Sequence, residues 1–331
     1  MWLWVLAINA RTTAEFDVPM LSRTADNLFW LSRYVERADY LARILETASR
    51  LSVLPAAYAG EGNEWSSALA TAGCMDEFLK HHEKPTAETV AAFLAFSEHN
   101  PCSIRKCLET ARFNARAVRT ALTVEMWETI NGAWLELQQF NSQSLTGGRL
   151  SRFTDWVKDV SLRFDGSGYR TMLRNDAFSF SRLGFFVERA DNTARILDMK
   201  YHILLPETSA VGGLDYSQWA AVLRSVNALT AYHWVYRESL RPWLIADLLI
   251  LKEELPRSLA SCYRNIVGEL DQLATVYGRQ GKAQRLARTL RTSLENQKIE
   301  KVFQMGLHEF ITGFLRDNNR VGMAVSEQYL A

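Results

Sequence analysis

The segments "YVERADYLARIL" (residues 34–45) and "FVERADNTARIL" (residues 186–197) repeat one charged sequence within a single chain. Eight of the ten positions from Glu36 to Leu45 recur from Glu188 to Leu197, at a spacing of 152 residues. A second pair, "FLAFSEHNPCSIRKCLETA" (93–111) and "LLILKEELPRSLASCYRNI" (248–266), follows in the same order at a spacing of 155. We interpret the two matches as an ancient duplication, with halves at about 20–165 and 170–331.

Both halves show the apolar periodicity of α-helices, and strand patterns are nearly absent. The repeat is far longer than the roughly 20–50 residues of a solenoid unit. We therefore predict an all-α fold, a multi-helix bundle built from two halves related by a pseudo-two-fold axis. The predicted helices are 23–52, 63–82, 86–98, 101–121, 123–142, 150–163, 173–204, 215–238, 242–253, 257–277, 280–296 and 300–328.

Residues 1–19 are predicted to be an N-terminal extension, and an upstream start artefact would explain them because Met20 opens the periodic sequence. Residues 20–331 are predicted to form a single domain.

Composition limits the classes of function. The 331 residues carry 38 basic and 37 acidic side chains, a net charge of +1, which argues against a general electrostatic grip on nucleic acid. The four cysteines lack zinc-type spacing and are predicted to be reduced core thiols. No stretch of 18 uncharged apolar residues occurs, so we expect a soluble, cytoplasmic protein that does not enter a membrane. Five tryptophans within predicted helices are expected in the core: Trp127, Trp134, Trp219, Trp234 and Trp243.

The repeated segment places charges within or beside an apolar helix stripe. At 100° per residue, Glu36, Asp39 and Arg43 share one helix face. The candidate binding residues in the two repeats are Arg33, Glu36, Arg37, Asp39, Arg43, Glu188, Arg189, Asp191 and Arg195.

Charges in an apolar stripe are tolerated only when they are paired. In one interpretation, buried ion pairs set how the two halves pack. In the other, both charged faces surround a shared polar pocket that holds a polar ligand or a peptide end. The sequence leaves both interpretations open.

At these residues the chain resembles the bacterial alpha-E domain family. The segments that carry the resemblance are "MLSRTADNLFWLSRYVERADYLARILE" (20–46), "RFNARAVRTALTVEMWETIN" (112–131), "TMLRNDAFSFSRLGFFVERADNTARILD" (171–198), "LPRSLASC" (255–262) and "HEFITGFLRDNNRVGMAVSEQYL" (308–330). Phe185 stands where the second repeat of that family usually has an arginine, which the first repeat keeps as Arg33.

The resemblance implies an all-α companion of circularly permuted ATP-grasp ligases, in a setting of peptide ligation, tagging or modification. It also implies transglutaminase-like proteases as frequent neighbours. It assigns no catalytic residue.

The sequence shows little chemistry of its own. It lacks GxxxxGK[ST], GxGxxG, HExxH and Glu-x-x-His, so no cofactor and no metal is predicted. "DGSGYR" (165–170) is predicted to be a connector between helices. Ser103 and Ser258 are predicted to be first-turn hydrogen-bonding residues, and Cys107 and Cys262 core cysteines.

A basic stripe is predicted on the helix near residues 280–296, as a solvated face or as a docking site for an acidic partner surface. Its members are Arg279, Lys282, Arg285, Arg288 and Arg291.

The first hypothesis for function is an accessory subunit of an ATP-grasp peptide or amide ligase system, more a non-catalytic subunit than an enzyme, which presents substrate or completes the ligase. A homo-oligomer is compatible with it. The alternatives are a stand-alone enzyme that uses Glu36 and Glu188 as acid and base, or a purely structural helical scaffold.

Overall fold

The structure, a computed structural model, describes residues 20–53, 64–141, 145, 148–203 and 213–330. The proposed extension 1–19 lies outside these ranges. Within them the chain forms fifteen α-helices and no strand, which confirms the all-α prediction, although only twelve helices were predicted. They are α1 (Ser22–Leu51), α2 (Glu64–Ala72), α3 (Met75–Leu79), α4 (Ala87–Phe96), α5 (Ile104–Ala117), α6 (Val124–Leu137), α7 (Arg149–Thr171), α8 (Asp176–Ile203), α9 (Gly213–Ser225), α10 (Leu229–Tyr236), α11 (Pro242–Leu251), α12 (Leu259–Tyr277), α13 (Lys282–Glu295), α14 (Ile299–Met305) and α15 (Leu307–Val325).

The centre of the bundle is the pair α1 and α8, the helices that carry the repeated segment. The residue numbers of contacting residues increase in the same direction along the two helices: Ser32 contacts Ser181, and further along Arg37 contacts Glu188. The helices therefore run parallel. The repeated charges consequently lie at the same level of the bundle.

The two central helices approach closely at Gly184. A Cβ at this position would overlap the carbonyl oxygen of Phe29 and lie 2.9 Å from its carbonyl carbon. Nearby, the hydroxyls of Ser32 and Ser181 lie 2.8 Å apart. Small side chains thus set the separation of the pair.

The second repeated segment starts one helix in each half. Ser103 accepts a hydrogen bond from the Lys106 amide at the start of α5, and Ser258 accepts one from the Ser261 amide at the start of α12. Both serines are N-caps. The helix predicted to begin at residue 101 begins at Ile104 instead. Since α5 packs on α1 as α12 packs on α8, the arrangement agrees with the duplication, which stays an interpretation.

Several predicted boundaries were wrong for identifiable reasons. The helix predicted at 63–82 is divided at Gly73, and the one at 300–328 at Gly306, where positive φ angles of 69° and 101° interrupt the helical path. The predicted helix 215–238 ends at Ser225 and resumes at Leu229, with a positive φ at Asn227 between them. The predicted connector 165–170 is part of α7, because neighbouring helices outweigh the low helix propensity of its glycines.

The tryptophan prediction was partly wrong. Trp219 is buried, and Trp127 and Trp134 are partly buried against the core. Trp234 on α10 and Trp243 on α11 are instead 78% and 47% exposed. No helix in the described ranges is both long and apolar enough to cross a membrane.

Candidate functional site

Glu188 on α8 is bound by two arginines of α1. Arg37 donates from Nε to Oε1 at 2.6 Å and from Nη2 to Oε2 at 3.0 Å, and Arg33 donates from Nε to Oε2 at 2.7 Å. The Glu188 side chain is 3% exposed. Two guanidinium groups from one helix therefore neutralise a buried carboxylate of the other.

Glu36 on α1 has the reciprocal arrangement. Arg189 of α8 donates from Nε and Nη2 to its two oxygens, each at 3.1 Å, and Arg257 donates from Nη1 at 2.9 Å. The Glu36 side chain has no exposed surface. The Glu–Arg dipeptides at 36–37 and 188–189 thus exchange partners across the pair, and each glutamate binds the arginine that follows the other.

The aspartates pair along their own helices. Arg43 donates to Asp39 at 2.7 Å, and Arg195 donates to Asp191 at 2.6 Å. Arg43 also donates from Nη1 to the carbonyl oxygen of Ser225, at the C-terminus of α9, at 2.6 Å. The predicted pairing along one helix face is confirmed for these two pairs, whereas Glu36 binds arginines of other elements instead.

Arg257 was missed by the sequence analysis. It lies just before the N-cap of α12 and joins Glu36 to Asp39, which it reaches with Nη2 at 2.9 Å. Its equivalent at the spacing of 155 is Cys102, whose sulfur lies 3.8 Å from Nη1 of Arg37. The sequence feature that could have indicated a role for Arg257 is its place in "LPRSLASC", between a proline and a capping serine.

The nine candidate residues and Arg257 form three hydrogen-bonded groups on or beside α1 and α8, together called the network here. They are Glu188 with Arg33 and Arg37, Glu36 and Asp39 with Arg43, Arg189 and Arg257, and Asp191 with Arg195. The described residues are compatible with both interpretations of the repeat, structural ion pairs and a polar binding site. The contacts between Glu36, Glu188 and their arginines are interior ion pairs. Arg33, Arg37 and Arg195 keep 16%, 21% and 35% of their side-chain surface exposed.

The arginines control the ionisation of the buried acids. Burial raises the pKa of the Glu188 carboxyl, but the charges and hydrogen bonds of Arg37 and Arg33 outweigh it, so the pKa lies below its ordinary value. The same balance lowers the pKa of Asp39, through Arg43 and Arg257. At Asp191 the effect of burial is larger than that of its one paired arginine, Arg195, so the pKa is raised. Glu188 and Asp39 therefore remain ionised and poorly suited to give up or store a proton at neutral pH.

The directions of these pKa shifts predict how the stability of the protein depends on pH. Because the folded pKa of Glu188 is depressed, its contribution is present above its ordinary pKa of 4.5 and is lost as pH falls through the folded value. Asp191, with its raised pKa, has the opposite and partly offsetting dependence. We expect the free energy of unfolding to fall below about pH 4.5, and Glu188→Gln to flatten that slope. Urea unfolding from pH 3 to 6 measures it, with the exposed Glu88→Gln as the control. An unchanged slope in Glu188→Gln contradicts the assignment.

Arg257→Met tests the residue that the sequence missed. Three guanidiniums (Arg43, Arg189, Arg257) face two carboxylates at this end of the network, so removing one leaves both acids paired with an arginine. We expect a loss of about 1–3 kcal/mol in the free energy of unfolding, the range for a lost charged hydrogen bond. Chemical denaturation measures it, and an unchanged midpoint would show that the two contacts of Arg257 contribute nothing.

The predicted basic stripe pairs mostly with acidic residues of the same chain. Three members of the basic stripe pair with this chain's own acids: Lys282 with Glu327, Arg288 with Asp271 and Arg291 with Glu295. Arg279 reaches only the carbonyl of Gln328, at 3.5 Å, and the exposed Arg285 has no ion pair within the described ranges. The stripe is thus largely neutralised.

Two cysteines of the repeated segment lie in the core. Cys107 and Cys262 are fully buried, as predicted for core cysteines. Burial raises the pKa of the Cys262 thiol to about 12, which opposes thiolate formation. No group of three or more His, Cys, Asp or Glu side chains in the described part of the chain is arranged to hold a metal ion.

Comparison with known proteins shows the family of the chain. The Alpha-E family, a predicted alpha-helical domain with a conserved ER motif, matches residues 20–330, and the chain belongs to this family. The Glu–Arg dipeptides that exchange partners between α1 and α8 correspond to such a motif. No curated protein and no solved structure matches the chain.

Proposed function

We propose that the chain is a non-catalytic accessory subunit of an ATP-grasp peptide or amide ligase system, in a bacterial cytoplasm. It would present a substrate or complete the surface of the ligase. Transglutaminase-like proteases are further candidate partners. The proposal takes its partner class from the family resemblance and its non-catalytic character from the geometry of the site.

The exchange of partners between the two Glu–Arg dipeptides carries the proposal. Glu36 and Glu188, the acids of the enzyme alternative, are each held by two arginines at 2.6–3.1 Å. A general acid must hold a proton near neutral pH, whereas Arg37 and Arg33 hold the pKa of Glu188 below its ordinary value. This supports positioning and binding roles over acid–base catalysis.

Affinity capture from the host tests the partnership. The tagged chain is isolated and its companions are identified by mass spectrometry. We expect an ATP-grasp ligase in stoichiometric amount, and we expect the chain to raise the rate at which that ligase forms ADP in the presence of carboxylate and amine substrates. Capture without such a ligase, or ligation by the purified chain alone, overturns the proposal.

Matched surface variants sharpen this experiment. Trp234 is 78% exposed, and tryptophan and arginine side chains often dominate binding energy at protein interfaces. Trp234→Ala and Arg285→Glu are therefore the first variants to compare with wild type in the capture. Lys282→Gln is a control from the same basic stripe, because Lys282 already pairs with Glu327.

The enzyme alternative is tested separately with Glu36→Gln and Glu188→Gln. Loss of an activity with unchanged thermal unfolding would favour an enzyme. Loss of stability would show that the glutamates hold the two halves together.

A further inference from the structure

The helix α1 is buried along most of its length but exposes one stripe to solvent. Trp30, Arg33, Tyr34 and Arg37, here called the α1 stripe, are partly exposed at i, i+3, i+4 and i+7 spacing. The residues between them, including Leu31, Ser32, Val35 and Glu36, are buried. Arg33 and Arg37 of this stripe therefore bind the buried Glu188 while keeping 16% and 21% of their side-chain surface exposed.

The equivalent positions on α8 are less exposed. At a spacing of 152 they are Arg182, Phe185, Phe186 and Arg189. Phe185 and Phe186 are buried, Arg182 pairs with Asp165, and the guanidinium of Arg189 lies 3.8 Å from the centre of the Phe185 ring. Because Phe185 and Phe186 are buried where the first repeat has Arg33 and Tyr34, the α1 stripe is the more exposed of the two sets.

The α1 stripe also carries an uncompensated positive charge. Arg33 and Arg37 both bind Glu188, so two guanidiniums face one carboxylate at 2.6–3.0 Å. The pair Arg195–Asp191 is neutral by itself. Asp26, one turn before Trp30, is hydrogen-bonded to the Trp30 side chain and forms no ion pair with an arginine of the described chain.

At the other end of the network, the surplus charge is compensated. Arg43 donates to the Ser225 carbonyl at the C-terminus of α9, where the helix dipole is negative. Arg33 has no such partner.

The stripe holds hydrogen-bond donors that the protein does not use. Arg33 binds Glu188 through Nε only, and its two terminal nitrogens have no acceptor among the described residues. Among the described residues, Nη1 of Arg37 meets only the sulfur of Cys102, which is a weak acceptor. The aromatic rings of Trp30 and Tyr34 lie 4.6 Å and 5.5 Å from the two guanidinium carbons and restrict their movement. The unused donors thus belong to partly exposed side chains that are held in place.

We infer that the α1 stripe binds a ligand through its carboxylate. Guanidinium N–H groups match the two oxygens of a carboxylate, and one negative charge balances the single surplus charge at Glu188. The inference rests on the proposed function for the biological role of the ligand, since carboxylate–amine ligation consumes a carboxylate. The binding site itself rests on the contacts of α1.

Calorimetry on the full chain tests the site without any partner. The probes are N-acetyl-L-alanine, its uncharged amide and inorganic phosphate, at constant ionic strength set with chloride. We expect N-acetyl-L-alanine to bind and the amide not to bind. Arg33→Gln should weaken binding about tenfold or more, as for a lost charge-assisted hydrogen bond.

Arg182→Gln is the matched control, because Arg182 is similarly buried, stacks on aromatic rings and pairs with one carboxylate, but lies outside the α1 stripe. Equal weakening by both variants would indicate a general charge effect and overturn the inference. Tighter binding of phosphate than of N-acetyl-L-alanine would overturn the carboxylate assignment. Equal responses to the amide and the acid would overturn the site.

A measurement on the wild-type chain keeps the test valid if Arg33→Gln does not fold. The Nε–Hε NMR signals of Arg33 and Arg37 should shift on titration with N-acetyl-L-alanine, while that of Arg189 should not. Unmoved signals overturn the inference. If the chain binds a carboxylate but captures no ligase, this site is supported and the accessory role is rejected. If it captures a ligase but binds no carboxylate, only this site is rejected.

Discussion

Replacing Glu36 by glutamine is expected to lower the free energy of unfolding by about 3–5 kcal/mol, the cost of breaking a buried ion pair by removing one partner. The carboxylate has no exposed surface and binds both Arg189 and Arg257. Its loss leaves Arg189 without a carboxylate and Arg257 with Asp39 alone, in a poorly solvated interior. Against a typical domain stability of about 5–15 kcal/mol, this is a large effect. Urea unfolding with matched fluorescence and circular dichroism signals measures it.

The control for this variant is Glu77→Gln, which breaks an exposed pair with Lys80 and should change little. The double variant Glu36→Gln/Arg257→Met supplies a sharper test. In Glu36→Gln, the guanidiniums of Arg43, Arg189 and Arg257 face the single carboxylate of Asp39, so removing Arg257 should recover part of the lost stability and the two changes should not add. A loss below about 1 kcal/mol for Glu36→Gln would contradict a structural role for the exchanged Glu–Arg pairs.

Gly184→Ala is expected to cost about 3 kcal/mol, the upper end of the usual range for overpacking. The added Cβ meets the backbone of Phe29, which cannot move aside by a change of rotamer. The central helices must then separate, which also stretches the ion pairs between them. Thermal and urea unfolding measure the loss.

Gly132→Ala is the matched control for that variant. Gly132 lies inside α6, and a Cβ there meets nothing within 4 Å. Alanine should therefore stabilise the chain by about 0.5–1 kcal/mol, through its higher helix propensity. If both glycine variants behaved alike, the close approach of α1 and α8 at Gly184 would be wrong.

The helices themselves could be predicted from the sequence, because apolar periodicity is a local property. The boundaries that failed are also informative. Gly73 and Gly306 end helices through positive φ angles, whereas Gly166 and Gly168 remain helical inside α7. Glycine permits both outcomes, and the packing of neighbouring helices decides between them.

The candidate site could be located from the sequence but its pairing could not. The pairs Asp39–Arg43 and Asp191–Arg195 follow from i, i+4 spacing on one helix. The partner of Glu36 is 153 residues away, and only the parallel packing of α1 on α8 brings it within 3.1 Å. The same holds for Arg257, which reaches Glu36 from the loop before α12.

By itself, the sequence determined an all-helical chain, the family to which it belongs and the charged helix pair at its centre. Tertiary structure alone decided which charges neutralise one another, and which remain open to solvent. Arg33 and Phe185 occupy equivalent positions, yet one lies at an exposed stripe with unused donors and the other is buried beneath a stacked guanidinium. The physical reason is that ion pairing and solvation depend on contacts between segments distant in sequence, which local periodicity does not encode.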